Sequence, residues 1–466
     1  MKVFSFRIAG VVFAMAALLQ LPASAADSWT QVVGNNIVPL SDGFGVGGAM
    51  NTNNTGVEAL CAYNGFLYAA VGTTSNSLSI WRSSDLFNWT NVASFPPNVF
   101  TMYANTNGIF FAGGGDWVWK STNGVNWSAF TSSGGFDRTN NVSGQISLQG
   151  NVLYLTTANI NGSQVWKRPA DGSANWTKLL DFGTGFGSAD GPHTNIGQLY
   201  IYCPPSATNT VFLSMSGSSS VGYLYETVDG GATWYKNTAV GGGFGGTNIQ
   251  YIASLIEFNG CLYAGTGNAA GGQIWRTPLT NAANWSGTNA WQQVASGGFG
   301  ITGTEVHRFA VAYGQLWTFL FGHTYLKARV WRTGDGMNWV QSNTDNFGTN
   351  EFIGNGALAP FTGKDGKNYM LCGSQWISPS NSAITAAQVW QLGPIVLNPS
   401  LQIKSTNAQL QLCWPAGALG FSLETCPNLV TPVWTAATNS SGWSNGQDMI
   451  TFPVQPGSGF YRLHQH

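Results

Sequence analysis

Residues able to bind or transform a polar ligand are scarce in this chain, because only 8% of its residues are charged. A few of them stand outside the repeated sequence pattern, where the chain leaves a loop and begins a strand. Carboxylates accept hydrogen bonds from hydroxyl groups, whereas imidazole and guanidinium groups orient acidic or neutral groups. We therefore predict a ligand-binding site at one end of a central channel, formed by Glu58, Asp190, His193, Glu305, His307, Arg308 and Glu351.

Within this set, Glu305 and Glu351 are expected to accept hydrogen bonds from ligand hydroxyls while His307 and Arg308 orient the ligand. The alternative is that each residue is a solvated loop residue or binds its own turn, since clusters of ionisable groups also occur for structural reasons. Alanine substitution separates the two interpretations, because only the first predicts a loss of ligand affinity.

The elements that must position these residues are short strands arranged in repeats. One triplet with a central aromatic residue returns at intervals of 38 to 59 positions, which suits a repeat of one four-stranded sheet with variable loops. Its occurrences predict an all-β fold, a seven-bladed β-propeller over residues 26–394. The triplets are Ile80-Trp81-Arg82, Val118-Trp119-Lys120, Val165-Trp166-Lys167, Leu224-Tyr225-Glu226, Ile274-Trp275-Arg276, Val330-Trp331-Arg332 and Val389-Trp390-Gln391.

The first repeat shows the expected order of four antiparallel strands. Its second strand is apolar on both faces, as a sheet packed between two neighbouring sheets requires. The predicted strands are Val57 to Tyr63, Phe66 to Gly72, Leu78 to Arg82 and Asn88 to Ala93.

Between the first two strands of a repeat lies a predicted two-residue turn. Asn64-Gly65 is a pair that tolerates the positive φ angles of such a turn. Asn107-Gly108 and Asn259-Gly260 occupy the equivalent place, so the same turn is predicted there.

The last repeat lacks a fourth strand of its own, because Val389-Trp390-Gln391 runs directly into Gly393-Pro394. A matching segment, Ser28 to Val32, lies near the other end of the chain and resembles Asn88 to Val92. We predict that this N-terminal segment supplies the missing strand. Closure in this way leaves no exposed ring edge.

Between the third and fourth strands lies a turn built around a short acidic or amide side chain. The turn is complete at Asp229, one residue shorter at Asp85 and Asp335, and carries Asn123 in place of the acid in the second repeat. Such a side chain accepts hydrogen bonds from nearby backbone amides. These residues are therefore predicted to be structural and not catalytic.

The turn from Thr227 to Trp234 resembles the Asp-box of bacterial neuraminidase-like propellers. More closely, Phe258 to Arg276 followed by Gly298-Phe299-Gly300 resembles exported bacterial propellers of uncharacterised function. The resemblance implies an architecture, and it leaves the activity open because one fold hosts many functions.

The two ends of the chain differ from the repeats. Lys2 and Arg7 precede an apolar run that ends at Ala23-Ser24-Ala25, which predicts an export signal over residues 1–25 and a secreted, periplasmic or cell-surface location. The run is shorter than the roughly 20 residues that cross a bilayer, so no membrane span is expected. Residues 395–466 resemble the small C-terminal β-domain of many exported Gram-negative proteins and predict a sandwich-like domain of about six strands.

Six cysteines in an exported chain permit disulfides. Cys413 and Cys426 flank a turn and could face each other on an antiparallel hairpin, with two free buried thiols as the alternative. Cys61, Cys203, Cys261 and Cys372 fall at non-equivalent positions of different repeats, so their pairing stays open. The cysteine spacing and the five histidines do not predict a zinc site, and no cofactor is expected.

Two classes of function fit these features. The net charge of −1 and the absence of a basic run exclude nucleic acid as an expected partner. Long loops rich in Gly, Asn, Ser and aromatic residues favour non-catalytic recognition of an extracellular glycan or surface polymer.

The alternative function is a glycoside hydrolase or lyase of the sialidase-like propeller kind. It requires a carboxylate pair or a tyrosine nucleophile with an acidic partner, together with a clamp for the substrate carboxylate. Arg82, Arg276 and Arg332 occupy one repeated strand position, where a structural role is expected instead of a clamp. We therefore favour binding or scaffolding over catalysis.

Overall fold

The computed structural model shows an all-β chain. It describes residues 4–7, 27–34, 44, 54–73, 78–95, 99–113, 117–131, 136, 142–159, 161–183, 199–216, 222–236, 249–279, 291–322, 328–348, 352–377, 384–406, 409–415, 417–437, 441–444, 447–454 and 458–465.

Successive stretches of the chain form antiparallel sheets of four strands, each strand paired with the next along the chain. The first four sheets comprise Asn54–Tyr63, Phe66–Thr73, Leu78–Ser83 and Thr90–Phe95; Val99–Asn105, Gly108–Gly113, Val118–Ser121 and Ser128–Thr131; Val142–Gln149, Val152–Ala158, Gln164–Pro169 and Thr177–Asp181; Leu199–Tyr202, Val211–Ser216, Gly222–Thr227 and Tyr235–Lys236.

The next two groups of four strands are joined into one eight-stranded sheet, because Gly267 pairs with Glu305 and Asn268 with Thr304. Short 3₁₀ turns, Gly297–Phe299 and Asp345–Gly348, follow the two groups. The groups comprise Ile249–Phe258, Cys261–Asn268, Ile274–Pro278 and Gln292–Ala295, then Thr304–Ala312, Gln315–Gly322, Arg329–Thr333 and Val340–Gln341.

The N-terminal strand Trp29–Val33 completes the following sheet, as predicted. It pairs with Ile384–Ile395, so that Trp29 lies opposite Leu392 and Gln31 opposite Trp390. The other two strands of that sheet are Phe352–Thr362 and Asn368–Ile377.

Side chains fasten this N-terminal strand to the preceding sheet. Asp27 accepts hydrogen bonds from Arg332, with Nε 2.8 Å and Nη2 3.1 Å from its two carboxylate oxygens. The hydroxyl of Ser342 donates to Asp27 at 2.6 Å and accepts from the indole nitrogen of Trp29 at 2.9 Å. The Trp29 ring meets Phe347 edge to face at 5.4 Å.

The first strand of each sheet lies beside the first strand of the next, and Phe352–Thr362 lies beside Asn54–Tyr63. The strands therefore follow one another around a common centre, which is a β-propeller-like repeat. In chain order the first strands are Asn54–Tyr63, Val99–Asn105, Val142–Gln149, Leu199–Tyr202, Ile249–Phe258, Thr304–Ala312 and Phe352–Thr362.

The second strands carry the core on both faces, as predicted. In Phe66–Thr73, Leu67, Ala69 and Val71 pack with residues of the sheet that contains Trp29–Val33. The alternate residues Tyr68 and Ala70 pack with Val99–Asn105 and Gly108–Gly113 of the following sheet. Because successive strand side chains point to opposite faces, one apolar strand joins two neighbours.

Repeated aromatic residues connect successive sheets. A phenylalanine after the fourth strand of one sheet packs against two tryptophans of the next: Phe299, for example, contacts Trp331 at 4.2 Å and Trp339 at 5.9 Å between ring centroids. Phe44 and Phe136 contact tryptophan pairs in the same way. The recurring Gly-Phe segments are therefore packing elements, since aromatic pairs add stability beyond the area they bury.

The turn predictions hold at two of three places. Asn64 and Gly65 have φ angles of 48° and 73°, and Asn259 and Gly260 have 47° and 71°. At the third place a two-residue turn also joins the strands, but it consists of Thr106 and Asn107, because Asn105 pairs with Gly108. Gly108, with φ 141°, begins the second strand and is not part of the turn. A Cβ on Gly108 would lie 2.6 Å from the carbonyl oxygen of Ser121, so close backbone approach explains this glycine.

The described residues between 402 and 465 form two further sheets that share an apolar core. Leu412, Trp414 and Ile450 of one sheet pack with Leu423 of the other. Strand Ile384–Ile395 runs past Pro394 to Ile395, one residue beyond the predicted boundary. One sheet contains Gln402–Thr406, Gln409–Pro415, Ser441–Ser444 and Gln447–Pro453. The other contains Phe421–Cys426, Thr435–Ala436, Ser458–Gln465 and the short strand Phe4–Arg7.

The hairpin predicted for Cys413 and Cys426 is wrong. Cys413 pairs with Gln402 and Met449, whereas Cys426 pairs with Phe460 in the other sheet. Both cysteines are free and buried, and the Cys426 thiol donates to the carbonyl of Asn428 at 2.9 Å. The turn after Pro415 carries the chain from one sheet to the other, which a sequence spacing does not distinguish from a hairpin.

Candidate functional site

The first strands surround a cavity of about 630 Å³. Its walls are mixed, because these strands present aliphatic residues together with hydroxyl and charged groups. The polar and charged residues that line it are Glu58, Thr101, Tyr103, Tyr200, Tyr202, Glu257, Asn259 and Arg308. A concave site with a few polar groups on an apolar wall is the usual form of a small-molecule site.

An irregularity in several first strands explains how they present these residues. The pairing with the second strand skips Glu58, between Val57 and Ala59, and skips His307, between Val306 and Arg308. Ile249–Phe258 has a similar shift between Ile252 and Ser254. Such bulges leave one residue unpaired and re-aim the side chains around it.

Arg308 is a half-buried cation at the cavity wall. Its Nη1 donates a 3.3 Å hydrogen bond to the carbonyl of His307, and its own carbonyl accepts from the Thr318 hydroxyl at 2.9 Å. Burial raises the pKa of Tyr103 well above its ordinary value and raises the pKa of Tyr200, while the Arg308 charge opposes both shifts. Both phenols therefore stay protonated near neutral pH.

The acidic wall of the cavity includes Glu257. Its carboxylate accepts a hydrogen bond from the Ser206 backbone at 3.0 Å, and its backbone N–H donates to the Tyr202 hydroxyl at 2.8 Å. Burial raises the pKa of Tyr202. This tyrosine therefore remains a neutral group that can still donate its proton.

A second polar cluster lies where the two halves of the eight-stranded sheet meet. The Tyr251 hydroxyl donates to one oxygen of Glu305, and Nδ1–H of His307 donates to the other. Glu305 is 5% exposed. Burial, followed by the charge of Glu305, raises the pKa of Tyr251, so the phenol form is favoured at neutral pH.

Gly267 makes this cluster sterically possible. A Cβ at this position would lie 2.5 Å from the Tyr251 ring. Because Gly267 also pairs with Glu305, the ring can cross the glycine and reach the carboxylate on the adjoining strand.

The structure thus places the predicted site residues in two separate regions, the cavity and the cluster around Tyr251. Glu58 and Arg308 line the cavity, whereas Glu305 and His307 bond to Tyr251 and to each other. Glu58 and Arg308 are each the fifth residue of their strands, Asn54–Tyr63 and Thr304–Ala312, and so lie further from the strand start than predicted. The predictions for Asp190, His193 and Glu351 lie outside the described residues.

The cavity tyrosines were missed because the sequence argument considered charged residues alone. Tyr200 and Tyr202 alternate within Leu199–Tyr202, and residues two apart share one face of a strand. This alternation is a signal that could have placed both on the inner wall.

The repeated arginines have local partners. Arg332 binds Asp27, Arg276 donates to Gln292 at 3.1 Å, and the Arg82 guanidinium lies 4.4 Å from the centre of the Phe66 ring. These contacts fit the structural role expected for this strand position.

Neither a metal site nor a membrane helix is found in the described ranges. They contain no group of three or more His, Cys, Asp or Glu residues placed to hold a metal ion. In the same ranges no helix is long and apolar enough to cross a bilayer.

No family model and no curated protein matches this chain. Among solved structures, it is similar to a prolyl endopeptidase at 8% identity and TM-score 0.43, covering 78% of this chain and 55% of the other, so that it spans about half of that protein's length. A chain of a mitotic checkpoint complex matches at 10% identity and TM-score 0.45, and the match covers 83% of this chain and 99% of the other. A computationally designed protein matches at 12% identity and TM-score 0.39, and the match covers 77% of this chain and 93% of the other. Similarities this low carry no argument about function.

Proposed function

We propose that this chain is an exported seven-bladed β-propeller that recognises an extracellular glycan or surface polymer without catalysis. The cavity at the centre of the first strands carries the proposal, because it combines aromatic residues, hydroxyl groups and charged groups on its wall. Sugars present both hydroxyls and apolar ring faces, so a wall of this composition suits them. The blade count rests on the seven triplets and on the neighbouring first strands.

The turns around Asp85, Asp229 and Asp335 support the Asp-box resemblance. Asp85 accepts backbone hydrogen bonds from Phe87 and Asn88, and Asp335 accepts them from the two equivalent residues. Asp229 accepts one from Thr233 at 2.9 Å. These carboxylates are engaged in their own turns, which favours a structural role over catalysis.

Export and the C-terminal domain belong to the same proposal. Residues 1–25 are the export signal, so the mature protein lacks strand Phe4–Arg7 and strand Ser458–Gln465 loses that neighbour. Residues 395–466 are an accessory domain after the propeller. N-terminal sequencing of protein recovered outside the cytoplasm should begin at Ala26. An intact Met1 on the recovered protein would contradict the cleavage.

The experiment that tests recognition combines two screens of the purified protein. A glycan array should give saturable binding to a defined subset of glycans, while a panel of chromogenic glycosides should give no turnover. Turnover that persists through repurification would overturn the proposal. The proposal would also be overturned if no glycan on the array bound.

A second candidate is a glycoside hydrolase or lyase, and the Tyr251–Glu305 hydrogen bond favours it. A tyrosine with an acidic partner is one of the arrangements that glycosidases use as a nucleophile. In this cluster Glu305 would accept the phenol proton as the Tyr251 oxygen bonds to the anomeric carbon. The glycosidic bond would break in the same step, and the departing oxygen would take a proton from solvent. The raised pKa of Tyr251 opposes attack by a free phenolate, so binding remains the first proposal.

Two tyrosine variants separate the candidates. If the chain is a glycosidase, Tyr251→Phe should abolish turnover of the chromogenic panel, while Tyr235→Phe, at a tyrosine 53% exposed on an outer strand, should keep it. Equal turnover by both variants would remove the tyrosine mechanism.

A further inference from the structure

Arg308 differs from the other arginines whose side chains the structure describes. Each of the others contacts a carboxylate, an amide or an aromatic ring. Among the described residues Arg308 has none of these partners, and its guanidinium bonds to the carbonyl of the preceding residue. The paired arginines are Arg82 with Phe66, Arg168 with Phe130, Arg276 with Gln292, Arg329 with Asp345, Arg332 with Asp27 and Arg462 with Glu424.

Arg308 also differs from the other arginines in its location. Arg308 lines the central cavity, whereas the repeated arginines lie on third strands with their partners. Tyr103 and Tyr200 line the same cavity, and both lie close enough for the Arg308 charge to act on their hydroxyls. Tyr103 and Tyr200 also share a hydrogen bond with each other, so the pair has one phenol proton left to donate. That proton and the guanidinium fork form a set of hydrogen-bond donors.

Donors of this kind match a carboxylate. A guanidinium binds a carboxylate through two parallel hydrogen bonds, and bonds to a charged acceptor are stronger than bonds between neutral groups. Glu58 and Glu257 on the same wall disfavour a ligand with many negative charges, but they accept hydrogen bonds from hydroxyls. The wall therefore suits one carboxylate among several hydroxyls.

We propose that the cavity binds an acidic saccharide, with Arg308 holding the carboxylate of a uronic acid and the free phenol proton of the Tyr103–Tyr200 pair donating to the same group. This inference rests on the proposed glycan recognition and names the ligand class. Glu58 and Glu257 accept hydroxyl hydrogen bonds from the same or the adjoining sugar. Arg308 is thus a specificity-determining residue.

The test uses matched ligands and matched variants. Oligosaccharides containing glucuronate, galacturonate or mannuronate are titrated calorimetrically into the full chain, each beside its carboxyl-reduced counterpart. Reduction should weaken binding at least about tenfold, the usual scale for losing a hydrogen bond to a charged group. Arg308→Gln should remove this preference for the acid, and Arg308→Lys should keep part of it because the charge remains without the fork.

Arg276→Gln is the control, because it removes a guanidinium that already has a partner outside the cavity. It should keep the full preference, and thermal melts of all three variants confirm that they are folded. Acidic and reduced sugars that bind equally, or an Arg308→Gln variant that keeps the preference, would overturn the inference and leave glycan recognition standing. Failure of every acidic and neutral glycan to bind would overturn the proposed function as well.

Discussion

The turns between third and fourth strands and the central cavity use polar residues in opposite ways. In the turns, Asp85, Asn123 and Asp335 accept hydrogen bonds from backbone groups two and three residues later. At the cavity, Arg308 bonds to a single backbone carbonyl and faces open volume. The repeated residues of these turns therefore serve folding, whereas Arg308, which breaks the repeat, has no carboxylate, amide or aromatic partner among the described residues.

This contrast makes a distinction that can be measured. Substitutions in the repeated, self-bonded part of each sheet should lower stability and leave the affinity of the folded protein unchanged. Substitutions at the cavity should lower the affinity for the ligand and leave the stability unchanged.

The largest stability effect is expected for Asp27→Ala. The carboxylate forms a bidentate pair with Arg332, and both side chains are nearly buried, at 11% and 13% exposure. Removing one partner leaves a buried charge unpaired and detaches the N-terminal strand, so the free energy of unfolding should fall by about 3 kcal/mol. Urea denaturation measures it.

Asp365→Ala provides the comparison for that variant. Asp365 pairs with Lys367 at 3.4 Å, but the two side chains are 44% and 58% exposed. Its carboxylate also accepts hydrogen bonds from the Lys367 backbone N–H and the Tyr369 hydroxyl. Exposed contacts contribute little, so this variant should lose far less stability than Asp27→Ala. Equal losses in both variants would show that the Asp27–Arg332 pair does not fasten the strand.

A smaller loss is expected for Asp335→Ala, at about 1 kcal/mol, because the turn loses its hydrogen-bond acceptor. Asp335→Asn should retain most of the stability at neutral pH, since Asn123 accepts the same backbone bonds in the equivalent turn. Chemical denaturation of the three proteins at pH 7 checks the order.

The acid dependence of this turn follows from the pKa of Asp335. Partial burial opposes ionisation, but hydrogen bonds from Asn338 and Met337 prevail and lower the pKa from 3.8 to about 2. The carboxylate therefore stabilises the fold above about pH 4, and this contribution is lost as the pH falls towards 2. The difference between parent and Asp335→Asn should shrink across that window, and a constant difference would contradict the assignment.

The smallest effect is expected for Asp448→Asn. Burial, followed by the charge of Asp27, raises the pKa of Asp448 above 3.8. The folded state therefore favours the protonated acid, and its stability falls as the pH rises through the raised pKa. At pH 7 the variant should unfold at slightly higher denaturant concentration than the parent, whereas below pH 3.8 the gain should vanish. A loss of stability at pH 7 would show that the charged form is favoured.

Much of the repeat structure could be predicted from the sequence, because the same residue types return at the same strand of each sheet. The triplets lie on third strands. The N-terminal strand Trp29–Val33 pairs with Ile384–Ile395 and so supplies the fourth strand that the last repeat lacks. First strands proved longer than expected: Asn54–Tyr63 begins three residues before the predicted Val57. The bulges in the first strands have no clear sequence signature. The sequence pattern therefore did not locate the residues at which these strands begin.

The candidate site was predictable only in part. Glu58 and Arg308 could be selected because they break the repeat, but their common cavity depends on strands that are distant in sequence. Likewise, the bond between Tyr251 and Glu305 depends on Gly267 in a different strand. The Cys413 and Cys426 hairpin failed because a turn between sheets has the same sequence spacing as a turn within one.

The central claim, that ligands enter the cavity of the first strands, is tested most directly by filling it. Val311 lines the cavity at 41% exposure, while Val340 lies on an outer strand at 36% exposure, so both accept a larger side chain without disturbing a core. Affinity for the glycan selected on the array is measured for Val311→Trp and Val340→Trp. The account predicts that Val311→Trp abolishes binding with an unchanged melting temperature and that Val340→Trp binds as the parent does. Full affinity in Val311→Trp would contradict it.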